Sequence, residues 1–179
     1  KKRALRNTYL FLISLFFYYK TSGLFFLLLV FSTFSDYLIG LAIYNFRTKP
    51  WKKAMVALSV TINLGVLSYF KYAYFFTDLF NQTFHADLEV VNFLALWSNN
   101  VSGSHFDASV IFLPVGISFF TFQTISYAVD VYRGKCQPVK NIIDFGFYVS
   151  FFPQLVAGPI VRASEFVPQL YAKYSLTRE

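Results

Sequence analysis

The sequence predicts an all-α protein whose helices cross a membrane several times. Of its 179 residues, 56% are hydrophobic and 22% aromatic, whereas only 14% are charged. A soluble domain of this size with that composition would expose far too much apolar surface to water. The basic residues stand in short clusters between apolar runs, as they do in the loops of membrane proteins. The net charge of +7 therefore does not indicate a nucleic-acid-binding face.

Five apolar segments approach or reach the roughly 20 residues that a membrane-spanning helix needs. We predict spans at about residues 8–19, 24–46, 54–76, 110–130 and 142–160, within a single transmembrane domain that covers residues 1–179. The first segment is short for a crossing, and we expect Arg6 to reach from it to the membrane surface. Residues 20–23 have the composition of a turn, and the second segment carries one acid, Asp36.

The third segment is followed by a long acidic loop, predicted over residues 77–107. Within this loop, residues 88–97 are apolar enough for a short helix at the membrane interface, and residues 99–104 have the composition of a polar turn. No Lys or Arg occurs between Lys71 and Arg133. By contrast, three basic clusters, at residues 1–6, 47–53 and 133–140, fall on the same side of the membrane, because two predicted spans separate each cluster from the next. The positive-inside rule makes that side cytoplasmic and the acidic loop external.

The fourth segment carries a polar stripe. At about 100° per residue, its polar side chains fall within an arc of roughly 120°. These residues are Gln123, Ser126, Tyr127, Asp130 and Arg133. A membrane helix turns such a stripe towards protein or towards a water-filled cavity, because unpaired polar groups are costly in lipid. The stripe alone leaves open whether it lines a cavity or only hydrogen-bonds to neighbouring helices.

The fifth segment is predicted to be a broken helix near Pro153–Pro159, because Pro153 and the pair Gly158-Pro159 interrupt it. A break inside the membrane frees backbone carbonyl groups, which are tolerated only against protein or a cavity. Such a break can therefore mark a functional region.

Two long motifs resemble the membrane-bound O-acyltransferase family, and within it the alginate O-acetyltransferase branch. They are LPVGISFFTFQTISYAVDVYRGK at residues 113–135 and NIIDFGFYVSFFPQLVAGPIVR at residues 141–162. Upstream, FSDYLIG at residues 34–40 and NLGVLSYFKYAYFF at residues 63–76 are also similar to the family. The resemblance covers most of the chain, from about residue 10 to residue 170.

The resemblance implies a ring of tilted helices around a tunnel through the cytoplasmic membrane of a bacterium, of which this multi-pass chain would form part. An acyl group, delivered from the cytoplasmic side by acyl-CoA or an acyl carrier, would pass to a hydroxyl of a cell-surface polysaccharide. The acyl group would be acetyl in the alginate branch. A partner protein outside the cytoplasm is implied for the acyl transfer, and no bound cofactor or metal is expected.

The family's catalytic residue is an intramembrane histidine, which suits removal of a proton from a sugar hydroxyl. Here the histidines are His85 and His105, both in the acidic loop and outside the motif of the family histidine. We expect both to be exposed. We therefore expect residues 1–179 to be the N-terminal or central part of such an enzyme, without its catalytic base and inactive alone.

Within such a tunnel, the polar stripe, the broken segment and the acid of the second segment supply the candidate lining residues. They are Gln123, Tyr127 and Asp130, with Arg133 at the cytoplasmic mouth, Gln154, Pro159 and Arg162 from the broken segment, and Asp36. Arg133 has an alternative role as an ion-pair partner of Asp130, three residues away. For Asp36, a hydrogen bond to another helix is as well supported as a role in the tunnel.

Three alternatives remain from the sequence. The chain could belong to a D-alanyl transfer protein of teichoic acid modification, which the family resemblance also includes. It could be a non-catalytic membrane scaffold. A transporter also has broken helices and polar stripes, but it should show matching halves, and the sequence shows none.

Overall fold

The computed structural model describes residues 2–103, 105, 107, 109–111, 113–158 and 161–171. Every regular element in this part of the chain is helical, which confirms the all-α prediction. The helices are α1 Lys2–Ser22, α2 Phe26–Asn45, α3 Lys49–Phe84, α4 Phe93–Ser102, α5 Ile117–Tyr132, α6 Ile142–Ser150, α7 Phe152–Ala157 and α8 Ala163–Tyr171. Among the described residues, two continuous stretches are long and apolar enough to cross a membrane, Leu5–Asn45 and Lys49–Phe84.

Helix α5 lies at the centre of the fold. It packs against α2 and α3, which also pack against each other, and α1 packs against α6. The buried core follows these contacts, with Leu29 and Ile43 from α2 and Phe120 from α5. Because α5 contacts two long helices and the start of α8, its polar stripe faces protein rather than the outside of the fold.

The first two helices are joined by a short turn and fold back on each other, so that Phe11 of α1 and Thr33 of α2 line one small cavity. Helix α1 runs to Ser22, and a single 3-10 turn, Gly23–Phe25, leads into α2. The predicted turn at residues 20–23 is present at its C-terminal end: Lys20 and Thr21 are still helical, Ser22 has a φ of −123°, and Gly23 has a φ of 56°. Glycine tolerates this left-handed conformation without a steric penalty.

The third helix is longer than expected. Its 36 residues correspond to about 54 Å, and it continues through residues 77–84, which the sequence assigned to the acidic loop. The helix ends at Phe84, and the next residue, His85, forms its C-terminal cap with φ at 51°. Polar residues such as Asp78 and Asn81 suggested a loop, yet they are compatible with an exposed helix whose apolar side chains continue at Phe80 and Phe84.

The helix predicted in the acidic loop is present, but it is shifted. Helix α4 spans Phe93–Ser102 instead of residues 88–97, so the predicted turn at residues 99–104 is also mostly wrong. Asn92 sets the beginning, because its side-chain oxygen accepts a hydrogen bond from the Ala95 N–H at 3.0 Å. Gly103, with φ at 64°, ends the helix.

Helix α5 is shorter than its predicted span of residues 110–130. It begins at Ile117, after Gly116 adopts a φ of 72°. A β-carbon at position 116 would lie 2.9 Å from the Leu155 carbonyl oxygen, so the turn needs glycine for both its conformation and its close packing.

The fifth segment is broken, as predicted, but the break comes earlier than the two prolines suggested. Helix α6 ends at Ser150, and α7 begins at Phe152, so the interruption is at Phe151. Pro153 lies in the first turn of α7, where the N–H that proline lacks would have no helical partner. Gly158 ends α7, and Pro159 lies outside the described residues.

Candidate functional site

The polar stripe of α5 is buried inside the fold. Gln123, Tyr127 and Asp130 are 4%, 0% and 5% exposed. Each of the three contacts a different part of the chain, so the stripe joins α5 to α6, to the segment before α6, and to α8. The structure thus brings these predicted residues onto one buried face.

Gln123 ties α5 to α6 through the backbone of Tyr148. Its Nε2 donates to the Tyr148 carbonyl oxygen at 2.8 Å. In return, the Tyr148 hydroxyl approaches the Gln123 carbonyl oxygen at 3.4 Å and the Val161 carbonyl oxygen at 3.1 Å. Tyr148 is fully buried. The broken segment therefore packs against the stripe through a residue that the sequence did not single out.

Tyr127 fills the next position of the stripe. Its ring centroid lies 4.5 Å from that of Phe145 on α6. Its hydroxyl accepts a hydrogen bond from the Val139 N–H at 3.2 Å, which fixes the segment between α5 and α6. The backbone of α2 approaches the same ring at Gly40, in the FSDYLIG motif.

Asp130 binds α8 rather than its neighbour in sequence. Ser164, in the first turn of α8, donates its hydroxyl to Asp130 Oδ2 at 3.1 Å. The alternative that Arg133 pairs with Asp130 is wrong: the described structure contains no ion pair between them, and Arg133 is exposed. The reason is that Arg133 follows the last turn of α5, where its N–H bonds to the Val129 carbonyl oxygen and the chain turns away at Gly134.

A cavity of about 740 Å³ adjoins the stripe. It lies between the segment that follows α5, the start of α6 and one face of α8. Its lining comprises Lys135, Cys136, Gln137, Pro138, Val139, Lys140, Asn141, Asp144, Ser164, Val167, Pro168 and Tyr171. Val139 and Ser164 are the residues that Tyr127 and Asp130 hold by hydrogen bonds. Tyr127 and Asp130, near the C-terminal end of α5, therefore hold two residues of the cavity wall in place.

The charges of the cavity are divided. Lys135 and Lys140 lie on the segment after α5, whereas Asp144 is a buried acid on α6. Asp144 accepts hydrogen bonds from Asn7 Nδ2 at 2.8 Å and from the Tyr171 hydroxyl at 3.1 Å, so the acid joins α1, α6 and α8. Burial raises the pKa of the Cys136 thiol to about 11, and the negative charge of Asp130 adds to this effect. The cavity thus combines two cations and one acid with apolar walls and a neutral thiol.

Comparison with known proteins gives consistent relatives. The chain is 38% identical over 166 residues to the probable alginate O-acetylase AlgI of Pseudomonas aeruginosa, which covers 92% of this chain and 29% of that protein. It is 35% identical to the corresponding protein of Pseudomonas syringae, again over 92% of this chain and 29% of that protein. A peptidoglycan O-acetyltransferase of Helicobacter pylori is 33% identical over 92% of this chain and 32% of that protein.

The chain is a homologue of the alginate O-acetylases. This confirms the resemblance seen in the sequence motifs. The chain spans only about 29% of the length of the alginate O-acetylases it matches. No family model and no solved structure matches it.

Gln154, Pro159 and Arg162 were also predicted to line the tunnel. Gln154 is half-buried on α7, and its Oε1 is buried without a hydrogen-bond partner in the described structure. Arg162 is exposed just before α8, where its carbonyl oxygen accepts from the N–H groups of Glu165 and Phe166. Neither side chain hydrogen-bonds to the stripe among the described residues, and Pro159 lies outside them.

Asp36 connects α2 to α3. Its carboxylate accepts hydrogen bonds from the Ser59 hydroxyl and from Asn63 Nδ2, the latter at 2.6 Å. Both partners are on α3. Of the two roles considered for Asp36, the structure shows the hydrogen bonds to another helix. His85 and His105 are both exposed, as expected.

The sequence missed two residues that the structure connects to the site. Asp144 could have been found, because it is an acid within an apolar segment, the same signal that singled out Asp36. Tyr148 carries no such signal, because it is one of 13 tyrosines in a chain that also has 24 phenylalanines.

Proposed function

We propose that this chain is part of a membrane O-acyltransferase that transfers an acetyl group to a hydroxyl of a cell-surface polysaccharide. The observation that carries the proposal is similarity over 92% of the chain to proteins named for alginate O-acetylation and for peptidoglycan O-acetylation. The two names differ in the acceptor but agree in the reaction. We therefore commit to O-acetyl transfer to a glycan hydroxyl and leave the glycan to experiment.

In the proposed enzyme, the chain crosses the cytoplasmic membrane several times. The apolar stretches Leu5–Asn45 and Lys49–Phe84 support this, and the parity of the basic clusters puts Lys135 and Lys140 on the cytoplasmic side. The cavity beside them would then open towards the cytoplasm. Its volume lies within the range of about 300–1,000 Å³ that is typical of ligand sites, so an acyl-CoA or an acyl carrier could be its donor.

The residues of this chain would bind and orient rather than exchange the proton. Transfer needs a general base to take the proton from the acceptor hydroxyl, and a thiol or carrier leaves the acyl carbon as the new ester bond forms. His85 and His105 are exposed at the far end of α3 and beyond α4, away from the stripe in sequence. We therefore assign the base to another part of the complete protein, and we assign the stripe to holding the wall of the cavity in place. A partner protein outside the cytoplasm would complete the transfer.

The proposal is tested with the complete protein that carries this sequence, in the organism that encodes it. The gene is deleted and then restored, and ester-linked acetate is measured on isolated exopolysaccharide and on peptidoglycan. Loss of acetate from one of them on deletion, with recovery on complementation, is the expected result. Unchanged acetate on both glycans would overturn the proposal, and loss of D-alanyl esters from teichoic acid instead would favour the D-alanyl transfer alternative.

A further inference from the structure

A second polar layer lies between α2, α3 and α5. Asp36 Oδ2 accepts from Asn63 Nδ2 at 2.6 Å, and the Ser59 hydroxyl donates to Asp36 Oδ1. Asn63 Oδ1 in turn accepts from the Thr124 hydroxyl at 3.0 Å. All four side chains are fully buried. The layer therefore links the three central helices through one carboxylate.

This carboxylate has no cationic side chain beside it in the described part of the chain. Its two hydrogen-bond donors, Ser59 and Asn63, are neutral. A single ionised carboxylate is expensive to bury in an apolar medium, and hydrogen bonds from neutral groups offset only part of that cost. Either a proton or a bound cation must therefore neutralise it.

Two hydroxyl oxygen atoms one helical turn from this layer have no hydrogen-bond partner among the described residues. The hydroxyls of Ser32 and Thr121 are buried and make no hydrogen bond in the described structure. Both residues are 0% exposed. Ser32 precedes Asp36 by four residues on α2, and Thr121 precedes Thr124 by three residues on α5, so each lies one turn from the layer on the same helix face. Serine in a helix commonly satisfies its hydroxyl on a carbonyl of the preceding turn, which Ser32 does not do.

We propose that this layer is a binding site for a monovalent cation, with sodium as the ion. The layer offers oxygens of one carboxylate, one amide and two hydroxyls, and the hydroxyls of Ser32 and Thr121 lie one helical turn away. Oxygen ligands suit a hard cation rather than a transition metal. One carboxylate balances one positive charge. A divalent ion would leave an uncompensated charge in the apolar interior, so the single acid selects a monovalent one. The site goes beyond acyl transfer, because it concerns how the three central helices are held together.

The complete protein is purified in nanodiscs and its melting temperature is measured in sodium chloride and in choline chloride at equal ionic strength. Sodium should raise the melting temperature by about 2–4 °C in a saturable way, because an ion that binds only the folded state stabilises it. Binding of radioactive sodium, measured directly, should saturate over the same concentrations. Equal melting temperatures in the two salts would mean that a proton neutralises Asp36, and would overturn the proposal.

Variants make the test specific. Asp36→Asn should remove the response to sodium. Because Asp36→Asn also disrupts a buried hydrogen-bond centre, Ser32→Ala provides a milder change: the Ser32 hydroxyl makes no hydrogen bond that could be lost. Ser32→Ala should melt normally in choline chloride but need about tenfold more sodium for half of the shift. Ser35→Ala is the matched control, because its hydroxyl bonds to the Ser32 carbonyl oxygen of its own helix at 3.1 Å. A sodium response that survives Asp36→Asn, or that falls equally in Ser32→Ala and Ser35→Ala, would contradict the site.

Discussion

Gly40 of α2 lies against the hydroxyl end of Tyr127 of α5. A β-carbon at position 40 would come within 2.6 Å of the Tyr127 hydroxyl oxygen, which is shorter than any normal contact. The same hydroxyl accepts a hydrogen bond from the Val139 N–H, next to the cavity. The absence of a side chain at one position of α2 therefore determines where a tyrosine of α5 can hold the cavity wall.

We expect Gly40→Ala to displace Tyr127 and to cost about 1–3 kcal/mol of folding free energy, as overpacking of a dense core does. Acetyl transfer by the complete protein should fall with it. Gly65→Ala is the matched control, because no heavy atom lies within 4 Å of the added β-carbon and alanine favours a helix by up to about 1 kcal/mol. Thermal unfolding and glycan acetate content measure both effects. Equal behaviour of the two variants would show that the contact at Gly40 is unimportant.

Gln123→Leu should reduce acetyl transfer in the complete protein with little loss of folded protein. The hydrogen bond it removes, to the Tyr148 carbonyl oxygen, is worth only about 0.6–2 kcal/mol between membrane helices. Phe122→Leu changes the neighbouring exposed residue of the same helix and serves as control. If melting temperature and activity fall in parallel in Gln123→Leu, the stripe serves packing alone and does not line a tunnel.

The proposed topology puts α4 outside and the cavity segment inside. With Cys136 replaced by serine, a cysteine at Asn100 should react with an impermeant maleimide on intact cells, whereas one at Gln137 should react only after permeabilisation. Both positions are exposed, so accessibility to the reagent depends on the side of the membrane. The reverse pattern would invert the topology.

Cys136 should alkylate slowly at neutral pH, because the thiolate is the reactive form and its pKa is raised to about 11. Against the reference pKa of 9.0, this lowers the thiolate fraction at pH 8 about 100-fold. The alkylation rate with a permeant maleimide should keep rising about tenfold per pH unit up to about pH 11. Asp130→Asn removes the nearby negative charge and should shift this profile to lower pH. A rate that levels off near pH 9 in the unmodified protein would contradict the burial of the thiol.

Residues 1–179 alone, in nanodiscs, should have no acyltransferase activity. Loss of a general base typically removes about 10²–10⁴ of the rate, and loss of substrate positioning removes more. The complete protein should tolerate His85→Ala and His105→Ala, since both side chains are exposed. If either substitution abolished transfer by a folded protein, the base would have to be sought in this chain.

The sequence predicted the helical class, the break in the fifth segment and the burial of the α5 stripe, because each depends on local chemistry. Proline and glycine interrupt helices wherever they stand, and polar residues at helical spacing need protein partners. The partners themselves were not predictable. Asp130 had a basic residue three positions away, yet it bonds to Ser164 on a helix 34 residues further along the chain.

The errors in the segment between residue 77 and α5 have a common cause. Charged and amide residues after Thr77 suggested that α3 ends at the membrane surface. An exposed helix, however, accommodates such residues as readily as a loop does. The beginning of α4 depended on one cap, Asn92, whose Nδ2 also bonds to the Val110 carbonyl oxygen at 3.0 Å. The two residues of that contact are 18 positions apart in the sequence, so local periodicity cannot predict it.

The length of α3 makes the molecule sensitive to bilayer thickness in the proposed orientation. A helix of about 54 Å exceeds a hydrocarbon core of about 30 Å, so it must lean or protrude, and a thicker bilayer brings it upright. Tyr74 on this helix accepts a hydrogen bond from the Ile111 N–H at 2.9 Å and donates one to the Ser109 carbonyl oxygen at 3.0 Å. A change in the tilt of α3 would therefore move the segment that leads into α5. Acetyl transfer should then vary with lipid chain length in nanodiscs. Tyr74→Phe should flatten that dependence, because it removes the hydrogen bonds between α3 and the segment that leads into α5.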